Sequence, residues 1–328
     1  VNPPVPALIV RRILRDPIYA VVAPVMMLLL VVLGCLLWVL ELPSRRKRGW
    51  RLTWTCAAAV LLDWSVFVRC TWLWCVMPPW RRNQQEWQAR HVVVLGQELH
   101  RFVQAADRLV GLDLRVRVPA VDPDRPVLLL ARHAGTGDSL LMVYVITHTL
   151  VRIPRVVLKR ALLWDPAMDL CLRRLHAYFL GEGMTAQVRD ERLRAFAEHV
   201  EVNDATLLFP EGRNWSPGRH ASDLAEAIEK GETERAAWLE RNPRVLSPRS
   251  TGVRRILQAR PDSQVLVAGH QGVEDLRSVP DIWRALPLRR QIHIDVRQAD
   301  SLPDEHIDAW LQDEWERLDD WTDALDGD

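Results

Sequence analysis

The segment ARHAGTGDS, residues 131–139, sets one histidine five residues ahead of one aspartate, with two glycines and a threonine between them. A carboxylate folded back onto imidazole Nδ1 fixes the tautomer and stabilises the cation formed on protonation. That leaves Nε2 of His133 facing outward as a base, with Asp138 as its orienter. Gly135 and Gly137 permit the tight turn and a close substrate approach. The same letters also describe an ordinary strand-to-helix turn, with Asp138 as an N-cap and His133 a satisfied turn residue.

A second polar cluster, FPEGRNWSPGRH at 209–220, follows an apolar run. A glutamate at a strand end must be neutralised or paired if it is buried. Arg213 is placed to pair with Glu211, and Arg219 to face an anionic headgroup. Alone, the cluster reads as a surface loop. With the first it makes two polar motifs at two strand ends, far apart in the chain.

The elements between them alternate. Residues 83–110 read as a helix ending near Gly111, LRVRV as an alternating strand, and VLLLA (127–131) as a strand buried on both faces. RVVLK (155–159), AYFL (177–180), ATLLFP (205–210), QVLVAGHQG (264–272) and QIHIDVR (291–297) read as further strands. Helices are expected at 165–175, 189–202 and 221–240, and an acidic amphipathic one carries Trp310, Trp315 and Trp321 at the end. This order predicts an α/β domain, a mixed sheet flanked by helices, with its site beyond the carboxyl ends of strands.

The first 82 residues are of another kind. Residues 18–42 carry no charge until Glu41, long enough to cross the roughly 30 Å of a hydrocarbon core, and RRKR follows at 45–48. A second apolar stretch, 52–77, is interrupted by Asp63 and Arg69 and is rich in tryptophan, which suits headgroup level. Basic residues precede the first stretch (Arg11, Arg12, Arg15), separate the two, and follow the second (Arg81, Arg82, Arg90). A re-entrant or shallow hairpin keeps all three basic sets on the cytoplasmic side. The five cysteines show no CxxC pair, so no disulfide framework or structural zinc is expected. A net charge of +1 argues against a nucleic-acid partner, while the local basic runs suit anionic lipid.

On these residues the chain resembles the lysophospholipid acyltransferases of the 1-acylglycerol-3-phosphate type. Their first block, a histidine, four residues and an aspartate, is His133 to Asp138. Their third block resembles Phe209-Pro210-Glu211-Gly212. Lys159, Asp165-Pro166 and LRRLHAYFL (172–180) are similar to the second block, and Val267-Ala268-Gly269-His270 falls at a fourth. The third block commonly continues Gly-Thr-Arg, whereas here it reads Gly212-Arg213-Asn214. The second commonly ends in an arginine; here Tyr178-Phe179-Leu180-Gly181-Glu182 stands instead, with Arg173 and Arg174 before it and Arg189 after it.

The resemblance implies a membrane-bound O-acyltransferase. His133 is the general base, Asp138 orients it, and the acceptor hydroxyl attacks an acyl thioester. Glu211, Gly212, Arg213, Arg219 and Lys159 are implied at the acceptor. Arg173, Arg174 and Arg249 are further candidates for a headgroup or donor phosphate. No metal and no resident cofactor is implied; acyl-CoA or acyl carrier protein is the donor substrate, and membrane lipids are the partners. Domains are expected at 1–82 (membrane-embedded or re-entrant hairpin), 83–300 (α/β acyltransferase domain) and 301–328 (acidic helix). A bacterial inner membrane is expected, with the catalytic domain on its cytoplasmic face. Three alternatives stand beside this: a glycolipid or other polar-lipid acceptor, a thioesterase in which His133 activates water, and a non-catalytic lipid-binding protein. No GxSxG serine elbow is present. His148, His176, His199 and His270 read as structural, and His220 is left open.

Overall fold

The computed structural model describes residues 5–135, 137–180, 185–274, 276, 278–299 and 306–326. Thr136 of the first block, Gly181-Glu182 of the second-block stretch, residues 301–305 of the expected terminal segment and the side chain of Arg189 lie outside the described residues. The first half of the chain forms α1 (Leu8–Leu40), α2 (Arg48–Val76), α3 (Gln84–Val110), β1 (Leu114–Arg117), β2 (Val127–Ala131), α4 (Asp138–Tyr144) and β3 (Ile153–Lys159). Next come α5 (Pro166–Arg174), β4 (Tyr178–Leu180), α6 (Ala186–Glu198), β5 (Asp204–Leu208), α7 (Pro217–Glu229) and α8 (Thr233–Arg241). The chain closes with α9 (Thr251–Ala259), β6 (Gln264–Gln271), β7 (Ile292–Gln298) and α10 (Ile307–Asp326).

Local chemistry explains most boundaries. Asn83 caps α3 by accepting from Gln85 N and Glu86 N, and Gly111, at φ 75°, ends it in the left-handed turn that glycine favours. Asp165 and Ser216 cap α5 and α7, each followed by a proline at the first helical position. The single helix expected over 221–240 is two helices. Gly231 at φ 68° lies between α7 and α8 and stops the first. The helix expected at 189–202 begins earlier, at Ala186, because Thr185 caps it.

The chain divides into two compact units that interleave along the sequence. The first comprises Val1–Asp113, Tyr144–Met184 and Trp283–Arg290. In it α1 and α2 form an antiparallel hairpin. The Glu41 carboxylate accepts from Gly49 N and Trp50 N to close the turn, and Gly34 lets the Trp54 indole lie against the α1 backbone. The Tyr19 hydroxyl donates to Asp63, and Arg69 pairs with Glu98 at 2.5 Å. Both charges that interrupt the second apolar stretch therefore have partners, which lowers their cost at bilayer depth.

Each of these helices exceeds the roughly 20 residues that a span needs, and only 11 % of the most apolar window of α1 is buried. Its exposed Val21, Leu28, Leu29 and Leu40 need an apolar solvent, so the protein is membrane-associated. At the foot of α1, Asp169 of α5 is fully buried and receives Arg11 (2.7 Å), Arg15 (2.8 Å) and Arg12 (3.2 Å). The first unit also holds the parallel pair β3–β4.

The second unit, Leu114–Val143, Thr185–Ile282 and Gln291–Asp328, is built on strands in the order β1-β7-β6-β2-β5. β2 runs parallel to both β5 and β6, β7 is antiparallel to β6, and β1 is parallel to β7, so the sheet is mixed as expected. The apolar run Val127–Leu130 is buried on both faces, as its lack of alternation predicts. Trp315 fixes α10 as a packing helix, since its side chain is fully buried.

The Asp169 cluster generates a test. Asp169→Ala strands the buried Arg11 and leaves Arg12 and Arg15 with Asp16 alone, and should destabilise the protein by about 3–5 kcal/mol. Thermal unfolding in detergent checks this; an unchanged midpoint would show that the cluster is solvated and inert.

Candidate active site

β2 ends at Ala131, and pairing with β6 continues for one residue, Arg132 N donating to Ala268 O at 3.0 Å. The next backbone N–H, that of His133, donates instead to Glu211 Oε2 at 2.8 Å, and His133 O accepts from Trp215 N. The first block is thereby fastened on both sides to the third. Gly135 then turns the chain at φ 100°; a Cβ there would lie 2.3 Å from Val273 O, so only glycine fits. The reversal returns Asp138, first residue of α4, to the imidazole.

His133 Nδ1 lies 2.7 Å from Asp138 Oδ2, and the imidazole stacks on the Phe209 ring at 4.3 Å. Asp138 Oδ1 accepts from Ser139 N, which fixes the second oxygen. Asp138 is buried, which alone raises its carboxyl. The His133 imidazole, with His270 and the Ser139 N–H, outweighs burial and holds it below the usual carboxylate range. An ionised Asp138 requires the proton on Nδ1, so the lone pair is on Nε2. The His133 side chain keeps 19 % of its surface exposed against 2 % for Asp138, the disposition of a base in front of its orienter.

Glu211 departs from expectation. Its carboxylate is buried and receives three N–H donors: His133 N at 2.8 Å, Leu246 N at 3.1 Å and Trp315 Nε1 at 3.2 Å. It faces inward and positions the block that carries His133, rather than lining an open acceptor site. Arg213 does not pair with Glu211; it is held by Asp223 of α7. Arg219 donates to Asn214 O at 2.7 Å, and Asn214, at the usual arginine position, donates to Gly135 O at 3.0 Å.

Gly212, at φ 70°, has the Arg249 guanidinium 3.8 Å from where a Cβ would stand, and Arg249 N donates to Pro210 O at 2.9 Å. Arg249 is thus brought to the third block from a separate segment. Its guanidinium has no hydrogen-bond or ion-pair partner among the described residues. Lys159, Arg173 and Arg174 belong to the other compact unit. There Lys159 ends β3 exposed, Arg173 lies 3.9 Å from Asp169, and Arg174 donates to Cys70 O.

Two residues beyond the expected set complete the arrangement. His270, read as structural, has its Nε2 3.7 Å from Asp138 Oδ2 and donates to Arg132 O at 3.0 Å. Burial, and after it Arg132, push it down to about 4, so it stays neutral. Arg132 is buried with its guanidinium on Arg244 O and His270 O, beneath the Trp215 ring. His270 closes the fourth block and Arg132 precedes His133, but their contact is not legible in spacing, because β6 meets β2 only in the folded sheet. No group of three or more His, Cys, Asp or Glu side chains disposed to hold a metal occurs among the described residues.

Residues 113–268 match the family described as Acyltransferase. The match covers a little under half of the chain and supports an acyltransferase. The fold is similar to that of a solved structure, the 1-acyl-sn-glycerophosphate (LPA) acyltransferase PlsC from Thermotoga maritima. The similarity has a TM-score of 0.51 at 15% identity and covers 86% of this chain and 99% of that one. No curated protein sequence matches the chain.

The buried Glu211 gives a pH signature. Burial pushes its carboxyl up to about 7 against the pull of Arg132 and the three donors. The folded state then holds a proton that the unfolded chain releases at the ordinary glutamate value. Stability is complete below that value and falls by about 3 kcal/mol as pH rises through 7. Unfolding in detergent from pH 5 to 8 should show this decline, and Glu211→Gln should flatten it; equal slopes in the two proteins would exclude Glu211 as its source.

Proposed function

We propose that the protein transfers a fatty acyl group from an acyl thioester to a hydroxyl of a lysophospholipid-type acceptor, 1-acylglycerol 3-phosphate foremost. The donor is acyl-CoA or acyl carrier protein. The observation that carries this reading is the 2.7 Å contact between His133 Nδ1 and the buried Asp138, which leaves Nε2 as the basic nitrogen. His133 Nε2 takes the hydroxyl proton while the oxygen attacks the thioester carbonyl. The tetrahedral oxyanion collapses, an ester C–O bond replaces the C–S bond, and the departing thiolate takes the proton from the imidazolium. Asp138 stabilises that cation for as long as it lasts.

Arg249 is the acceptor-phosphate contact in this reading. It lies beside Gly212 with no protein partner among the described residues, while Arg213 is engaged by Asp223 and Asn214 replaces the usual arginine. The apolar hairpin keeps the enzyme on a bacterial inner membrane, with the acyltransferase domain on the cytoplasmic side where acyl thioesters are made.

The test is acyl transfer from radiolabelled palmitoyl-CoA by the detergent-solubilised protein, offered lysophosphatidic acid and a panel of other lysolipids and glycolipids. His133→Ala should lower transfer by about 10²–10⁴-fold, and Arg249→Gln should raise KM for the phosphate acceptor by about tenfold. Full activity in His133→Ala would sink the mechanism. Free fatty acid released without an acylated acceptor would make the protein a thioesterase, and product on a glycolipid alone would move the acceptor class.

A further inference from the structure

A groove of about 580 Å³ opens in the first compact unit beside α1, far in sequence from the histidine–aspartate block. Its walls are mostly apolar, formed by Ala20, Phe67, Trp74 and Leu170, among others, and its rim carries Arg12, Asp16 and Arg174. The volume is that of a small-molecule site, roughly 300–1,000 Å³. Because α1 and α2 are antiparallel, the start of α1 and the end of α2 lie at the same end of the hairpin. The groove therefore sits where Arg11 to Arg15 and, after α2, Arg82 border an apolar helix pair. That is headgroup level for a hairpin in a bilayer.

The charges at this rim do not balance. Asp16 is taken by Arg12 at 2.7 Å and Arg15 at 2.6 Å, and Asp169 by Arg11, Arg12 and Arg15. Arg174 has no carboxylate among the described residues. Its guanidinium donates to Cys70 O at 2.6 Å, meets His91 Nε2 at 3.0 Å and lies over the Trp87 ring at 4.9 Å. Burial draws it down to about 10 against the pull of Cys70 and Cys171, still charged at neutral pH. A half-buried cation with no carboxylate partner among the described residues, opening on an apolar groove, calls for an anion attached to a hydrocarbon chain.

We propose that this groove binds one anionic phospholipid of the bilayer, its phosphate on Arg174 and one acyl chain along Ala20, Phe67, Trp74 and Leu170. The proposal does not depend on the acyl-transfer reading. A bound lipid there supplies the missing negative charge and fixes the hairpin to the membrane surface.

Native mass spectrometry of the full-length protein in detergent tests the proposal, with titrations of palmitoyl-oleoyl phosphatidylglycerol, phosphatidylcholine and diacylglycerol. The parent should retain one phosphatidylglycerol and hold phosphatidylcholine and diacylglycerol at least fivefold more weakly. Millimolar inorganic phosphate should not displace the lipid. Arg174→Gln should weaken phosphatidylglycerol at least fivefold. Ala20→Trp, which fills the groove and leaves every arginine in place, should do the same, and it decides the matter where Arg174→Gln proves unfolded by circular dichroism. Parent-like affinity in folded Arg174→Gln or in Ala20→Trp overturns the proposal. So does equal retention of diacylglycerol, or displacement by phosphate alone.

Discussion

The Glu211 carboxylate is the joint on which the second unit is assembled. Three segments end in N–H groups with no strand or helix partner: the end of β2 at His133, the loop at Leu246, and the indole of Trp315 on α10. One buried carboxylate accepts from all three. Removing it leaves three buried donors unsatisfied, each worth about 1–3 kcal/mol. It also releases the backbone that aims the imidazole. The placement of the His133 backbone and the stability of the unit therefore share one side chain.

Around that joint the site is a set of mutual restraints. Phe209 supports one face of the imidazole, Asp138 fixes its tautomer, and Gly135 brings the two together through a turn no other residue fits. Behind Asp138 lie His270, held neutral, and Arg132, caged by carbonyls. Neutral His270 leaves Asp138 with a single cationic partner when His133 is protonated, which concentrates the carboxylate's effect on that imidazole.

How much of this the sequence discloses depends on the range of the interaction. The strand VLLLA is legible because a run without alternation is buried on both faces, and β2 spans those five residues. The helix end at Gly111 is legible because a local left-handed turn dictates it. His133 and Asp138 are only five residues apart, so their meeting is nearly a local event. The inward orientation of Glu211 is not legible, since its partners come from 35 and 104 residues downstream. The same holds for Arg213, which pairs within α7 and not with its neighbour. Arg249 reaches the third block through a backbone hydrogen bond to Pro210, a long-range contact that spacing does not encode. The break at Gly231 was written in the sequence, but a charged helical pattern on both sides concealed it.

The central claim is that Asp138 acts through the orientation and charge of His133. Steady-state kinetics of acyl transfer by Asp138→Asn test it most directly, because an amide keeps the shape of the carboxylate while losing its charge. In Asp138→Asn, kcat should fall at least about 10²-fold with KM for the acceptor essentially unchanged. A variant that keeps its kcat, or one that loses only acceptor affinity, would contradict it and reduce the pair to a structural turn.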